Sequence, residues 1–193
     1  MNSIALIHDK TQWKPDFFGI QDKNVWDKIG DYVKNSDNGL VFIPRVFDRL
    51  DNLPENWIRF HISSAYHMFG LCRTHKYFAK FSDNCYRTIY DGYSITYSIL
   101  QLAVYMGFDE IYLLGADCTY MGKKKNFIEH GNIDPTVIHA TDRLYASFTE
   151  AKKYAINNGV KIFNATRGGC LELFERVKLE EILSNNRKNK IAL

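Results

Sequence analysis

Short apolar runs alternate with stretches of helical spacing along the whole chain. Residues 4–7 and 17–20 read as strands, the second led in by Lys14-Pro15 and ended at Asp22. Over residues 23–34, Val25, Ile29 and Val33 recur every fourth position with Trp26 beside them, the stripe of an amphipathic helix. Residues 40–43 form an apolar strand stopped by Pro44. From residue 45 to about 90 the period is lost. That stretch holds β-like pieces at 57–62 and 77–81 among many aromatics, and the expectation is an irregular, lid-like insertion. The pattern then sharpens. Ile95, Ile99, Leu102 and Met106 keep the spacing of one helix face, and Leu100, Ala103 and Val104 make other faces apolar too. A helix apolar nearly all round is a central, buried one, and Gly107 is placed to end it in the left-handed conformation. Residues 110–115 run apolar without alternation, as a parallel strand covered on both faces would. A loop over 117–141 follows, then a helix carrying Leu144, Phe148, Ala151 and Ala155, closed by Gly159. A strand at 160–163 and a short helix at 177–183 end the pattern.

Helix, glycine, strand, loop, helix, glycine, strand is the rhythm of an α/β fold with a doubly wound, mostly parallel sheet and helices on both faces. Residues 1–184 read as one such domain and 185–193 as a basic polar tail. Sheets of this kind bind ligands at the carboxyl ends of their strands. Here those ends are Asp22, Pro44, Gly115-Ala116-Asp117 and Asn164-Ala165-Thr166.

Composition narrows the class. The 193 residues are 46% hydrophobic and 15% aromatic, enough to bury a core and too rich for a disordered chain. No apolar stretch approaches the ~20 residues of a membrane span, and no secretion signal opens the chain, so the expectation is a cytoplasmic protein. A net charge of +3 is too small to argue for nucleic acid. The basic clusters at 123–125 and 187–190 are either solvated surface or contacts to phosphate or anionic lipid, the latter placing the protein at the inner face of the membrane. Four scattered cysteines without a C-x-x-C pair predict reduced thiols rather than disulfides or structural zinc.

Four segments carry candidate chemistry. Gly115-Ala116-Asp117 sets a carboxylate at the mouth of the crevice, where it holds a hydroxyl, a base edge or Mg²⁺, or else caps a turn. Asp91-Gly92-Tyr93-Ser94 precedes the buried helix. Its glycine, the hydroxyls of Ser94 and Thr96 and free N–H groups suit a phosphate, with simple helix capping as the alternative. The 117–142 loop contains Tyr120, Glu129, His130, Asp134, His139 and Asp142, with His139 just ahead of a helix as a candidate general base. Asn164 to Gly169 places Thr166 and Arg167 to grip a phosphate or carboxylate, or forms a plain glycine turn.

Taken in order, residues 14–22 (KPDFFGIQD), 101–117 (QLAVYMGFDEIYLLGAD) and 164–169 (NATRGG) resemble the MptE-like family, named for an archaeal 6-hydroxymethylpterin pyrophosphokinase. Bacterial members often accompany surface-glycan genes. The middle segment also resembles the bacterial lipooligosaccharide sialyltransferases. The resemblance implies a Rossmann-like transferase. It implies that Asn2 contacts the nucleotide donor, that Asp117 lines the donor pocket, that Tyr120 serves the donor phosphate and that His139 deprotonates the acceptor hydroxyl. Two positions depart from the sialyltransferase pattern: Gly92-Tyr93 stand where those enzymes carry an arginine, and their second phosphate-binding tyrosine falls near Phe127. Both families begin with a further strand and a G-x-G-P-S-L turn, which this sequence lacks.

The expectation is therefore a transferase using a CMP-sugar, another nucleotide sugar or ATP, with a glycan or small alcohol as acceptor. No covalently bound cofactor is expected. In the glycosyl version, Ser94, Tyr120 and Arg167 hold donor phosphate while His139 takes the acceptor proton; Asp22, Gly92, Thr96, Gly115 and Thr166 complete the nucleotide site. The alternatives are Mg²⁺-dependent pyrophosphoryl transfer to a pterin-like alcohol, with Asp117 or Asp22 as metal ligands, and a non-catalytic remnant that binds a nucleotide or a partner. Residues 45–90 are an acceptor lid in one reading and a homo-oligomer contact in the other.

Overall fold

Residues 2–50, 53–67, 77–118 and 139–184 are described by a computed structural model, with the side chains of residues 2, 3, 8 and 9 left aside. The fold is α/β, and every strand pairing is parallel. Strands β1 (Phe17–Gly19), β2 (Leu40–Pro44) and β3 (Ile58–Phe60) form a sheet in that order. Strands β4 (Ile62–Ser63) and β5 (Ile89–Tyr90) form a second. Only His61 separates β3 from β4, and its carbonyl accepts from Ile89 N–H (2.8 Å), so β5 continues the line of the first sheet. Strands β6 (Glu110–Leu113), β7 (Lys161–Asn164) and β8 (Glu175–Arg176) form the third.

Helix α1 (Lys23–Asn35) starts at Asp22, whose Oδ1 accepts from the N–H groups of Asn24 (2.8 Å) and Val25 (3.3 Å). Its buried face packs on Phe18 of β1, Ile20 just past it, and Val41 and Ile43 of β2. Trp26 meets Phe47 and Trp57 there. The opposite side of that sheet faces helix α2 (Ile95–Tyr105). A Cβ on Gly19 would lie 2.5 Å from Ile99 Cδ1, so the glycine lets helix and strand touch. Further along α2, Leu102 joins Phe42, Phe60 and Ile89, while Tyr97 and Leu100 join Leu113, Phe148 and Ile162 of the third sheet and its helix. Helix α2 is thus the shared wall of both halves, the central buried helix its apolar faces predict. Helix α3 (Ala140–Asn158) covers the third sheet and ends at left-handed Gly159 (φ 69°).

Several expectations need correction. Residues 4–7 are not a strand: Asn2–Lys10 is a 3₁₀ helix, and Ala5 is wholly buried with Phe18 and Val25 against α1. Four adjacent apolar residues carry no period, and packing against a helix decided the conformation. Residues 77–81 are irregular as well, because their carbonyls find side-chain donors. The Tyr93 and Tyr97 hydroxyls donate to the carbonyls of Phe78 (3.2 Å) and Lys80 (3.1 Å). The 45–90 stretch contributes β3, β4 and β5 to the sheets, so its described part builds the body of the fold. Strand β6 is covered on one face only. Leu113 is buried, whereas Tyr112 stacks on Phe163 on the open side and Leu114 is 59% exposed. The last helix starts at residue 179, two residues later than its apolar pattern suggests. Among the described residues Cys85, Cys118 and Cys170 are free thiols.

Candidate functional site

Two groups of residues gather at strand carboxyl ends. The first starts from β1 and β5. Gln21, just past β1, accepts from Ser98 Oγ of α2 (2.7 Å) and donates to Asp91 Oδ1 (3.5 Å). Asp91, just past β5, also accepts from Tyr93 N–H at that oxygen (2.9 Å). Its carbonyl accepts from His67 Nε2 (2.7 Å), which fixes the proton of that imidazole on Nε2. Gly92 is required here. A Cβ would sit 2.0 Å from the Tyr97 ring, and the Gly92 carbonyl accepts from Ser147 Oγ of α3 (2.8 Å).

Tyr93 then adopts φ 64°, a left-handed conformation rare outside glycine, asparagine and aspartate. Its ring lies flat on His67 at 3.7 Å, its hydroxyl is hydrogen-bonded to Phe78, and the Arg143 guanidinium is 5.8 Å from its centre. Contacts on every side hold a residue that its backbone alone would not keep there. Burial pushes its phenol up to about 12, against the opposing pull of Arg143, so it stays a neutral donor. Ser94 follows as the cap of α2, its Oγ accepting from Thr96 N–H (3.1 Å).

Helix α3 supplies the rest. His139 is its N-cap residue, yet its side chain makes no capping bond, and the exposed imidazole stands 6.1 Å from the Tyr77 ring. Arg143, one turn on, lies over Tyr77 (5.6 Å) as well as Tyr93. The N-termini of α2 and α3, with their positive dipole ends, thus flank one cluster of His67, Tyr77, Tyr93, His139 and Arg143. Of these, His139 was a candidate from sequence, and Tyr93 lay within the candidate segment 91–94 without a role of its own. Arg143 had a readable signal, since position i+4 shares a helix face with His139. Tyr77 and His67 had none, because long-range packing brings them in.

The second group lies past β6 and β7. Asn164 is buried and bridges Leu171 O (2.7 Å) and Thr166 N–H (2.9 Å). The Thr166 hydroxyl accepts from Ala116 N–H (3.0 Å), so this expected phosphate ligand is committed to the backbone. Arg167 pairs with Glu180 on an exposed surface. Gly169 (φ 73°) lets its loop approach Asp117, where a Cβ would sit 2.6 Å from the carbonyl oxygen. The arginine that organises this loop is Arg176, which the sequence reading missed. It donates to the carbonyls of Thr166 (3.1 Å), Gly168 (2.9 Å) and Gly169 (3.3 Å) and pairs with Glu172, holding that carboxyl below its usual range. Gly115 (φ 74°) and the exposed Asp117 stand beside the loop. Tyr145 of α3 joins it too, donating to Cys170 O and accepting from Glu172 N–H.

For a metal, Asp22 offers an oxygen already used to cap α1. Among the described residues no three His, Cys, Asp or Glu side chains converge to hold an ion. Tyr120, Phe127, the remaining 119–138 loop candidates, both basic clusters, Cys72 and the Asn2 side chain lie outside the described residues. Among the described residues no helix is long and apolar enough to cross a membrane. No family model matches the chain, and no curated protein or solved structure is found to be similar to it.

Proposed function

We propose that the protein is a transferase acting on a nucleotide-activated donor, in its most specific form a glycosyltransferase of surface-glycan assembly related to the MptE-like family. The observation that carries this reading is the His139 imidazole. It caps nothing, stands exposed at a helix N-terminus, and belongs to a cluster holding the Arg143 cation between two tyrosines. Imidazole is the side chain suited to remove a hydroxyl proton near neutral pH.

In the reaction, the acceptor hydroxyl gives its proton to His139 while its oxygen bonds to the sugar's anomeric carbon. The bond from that carbon to the donor phosphate breaks, and its electron pair leaves with the nucleotide. The charge growing on the phosphate is met by the positive ends of α2 and α3 and by Arg143. Arg143 fills the part expected of Arg167, whose guanidinium pairs with Glu180 on the surface. Ser94 acts through its capping of α2.

The test is turnover of CMP-, UDP- and GDP-sugars and of ATP by the chain and by His139→Ala, with and without EDTA. Transfer from a nucleotide sugar, reduced about a hundredfold or more in the variant, is the expected result. Equal turnover in the variant contradicts the base. EDTA-sensitive pyrophosphoryl transfer from ATP would establish the pterin-kinase alternative.

A further inference from the structure

Beside the His139 cluster lies a cleft of about 600 Å³ whose lining includes His61, Asp83, Asn84, Arg87, Thr88 and Tyr90. It shares a strand with the cluster: Tyr90 faces the cleft, Asp91 opens the cluster, and Ser63, on the cleft's rim, accepts the Asp91 N–H (3.0 Å). The floor is built firmly. Ser82 Oγ donates to Thr88 O (2.7 Å) and accepts from Asn84 N–H (3.1 Å), and Asn84 Oδ1 caps the turn at Arg87 N–H (3.2 Å). His61 Nδ1 meets Thr88 Oγ1 (3.1 Å), which orients the ring. Among the described residues neither Asp83 nor Arg87 enters an ion pair.

We propose that this cleft binds the hydroxyl face of a carbohydrate, and that it is the acceptor site of the transferase. The lining decides the ligand class. An apolar ligand would strand these polar groups without water. A phosphate calls for surplus positive charge, whereas Asp83 here offsets Arg87. A sugar presents several hydroxyls, each both donor and acceptor, and so matches a carboxylate, a guanidinium, an amide and an imidazole around one space. The volume falls within the range of small-ligand sites. The assignment to an acceptor rests on the transferase reading; the binding itself does not.

Saturation-transfer NMR on the full chain, without donor, tests it with the methyl glycosides of glucose, galactose and N-acetylglucosamine. Asp83→Asn and Arg87→Gln are the variants, both at exposed positions where the melting temperature should hold. At least one glycoside should receive saturation, weakened fivefold or more in each variant and retained in His139→Ala. Absence of transfer to all three glycosides, or transfer surviving both variants, overturns the proposal. Because no donor is present, that failure leaves the His139 chemistry standing, and a failed His139 assay leaves this binding standing.

Discussion

Tyr93 sits in the candidate segment 91–94, and its backbone conformation marks the packing there. Its left-handed backbone costs energy, and stacking, a hydrogen bond and a neighbouring cation keep it in place. The same burial shapes its titration. Burial pushes Tyr93 up to about 12, the Cys118 thiol up to about 12 and the Cys85 thiol up to about 11. Each group therefore keeps its proton longer in the folded chain than in the unfolded one. Above about pH 9 the unfolded chain releases protons first, so stability is full below that pH and is lost as the pH rises toward 12. Urea midpoints measured between pH 7 and 11 should stay level to about 9 and then fall. A midpoint level or rising through pH 11 contradicts the burial of these groups.

At the scale of elements, α2 does the work of a missing neighbour strand. Gln101, wholly buried, accepts from the N–H groups of Ser82 (3.0 Å) and Tyr90 (3.1 Å) and donates to Tyr90 O (2.8 Å), so one side chain satisfies the edge of β5. Gln101→Leu keeps the size and removes those partners. Each orphaned N–H costs about 1–3 kcal/mol, and we expect a loss of about 3 kcal/mol, read as a lower urea midpoint with unchanged slope. A loss below about 0.5 kcal/mol would contradict this account of the β5 edge. Elements with a clear period or cap were legible beforehand: α1 behind Asp22, α2 before Gly107 (φ 94°), and α3 before Gly159. Elements made by tertiary contact were not. Strand β8 is Glu175 and Arg176, both exposed, and it exists because β7 offers it an edge. Residues 4–7 look like a strand only until α1 is there to pack against.

Across the whole molecule, parallel strands carry the chain to the ends where α2 and α3 begin, and both groups of candidate residues gather at those ends. That placement was legible from the alternation of elements; the partners inside each group were not. Thr166 and Arg167 looked like anion ligands from their residue types, yet one is committed to the backbone and the other to Glu180. A histidine ahead of a helix stands out in the sequence, and Arg143 four residues on shares its helix face, whereas Tyr77 and His67 join them only through packing. Strands β1 and β6 are each a terminal strand of their sheet, and the Phe17 and Phe108 rings beside them lie 6.3 Å apart. The proposed transferase must bind an activated nucleotide donor. Thermal melting of the full chain with CMP, CMP-sialic acid, UDP-sugars and ATP measures that directly. A nucleotide sugar at about a hundred times its Kd should add about 2.7 kcal/mol. That corresponds to a rise of roughly 5–10 °C for a domain of this size. A melting temperature unmoved by every one of these nucleotides would contradict the claim.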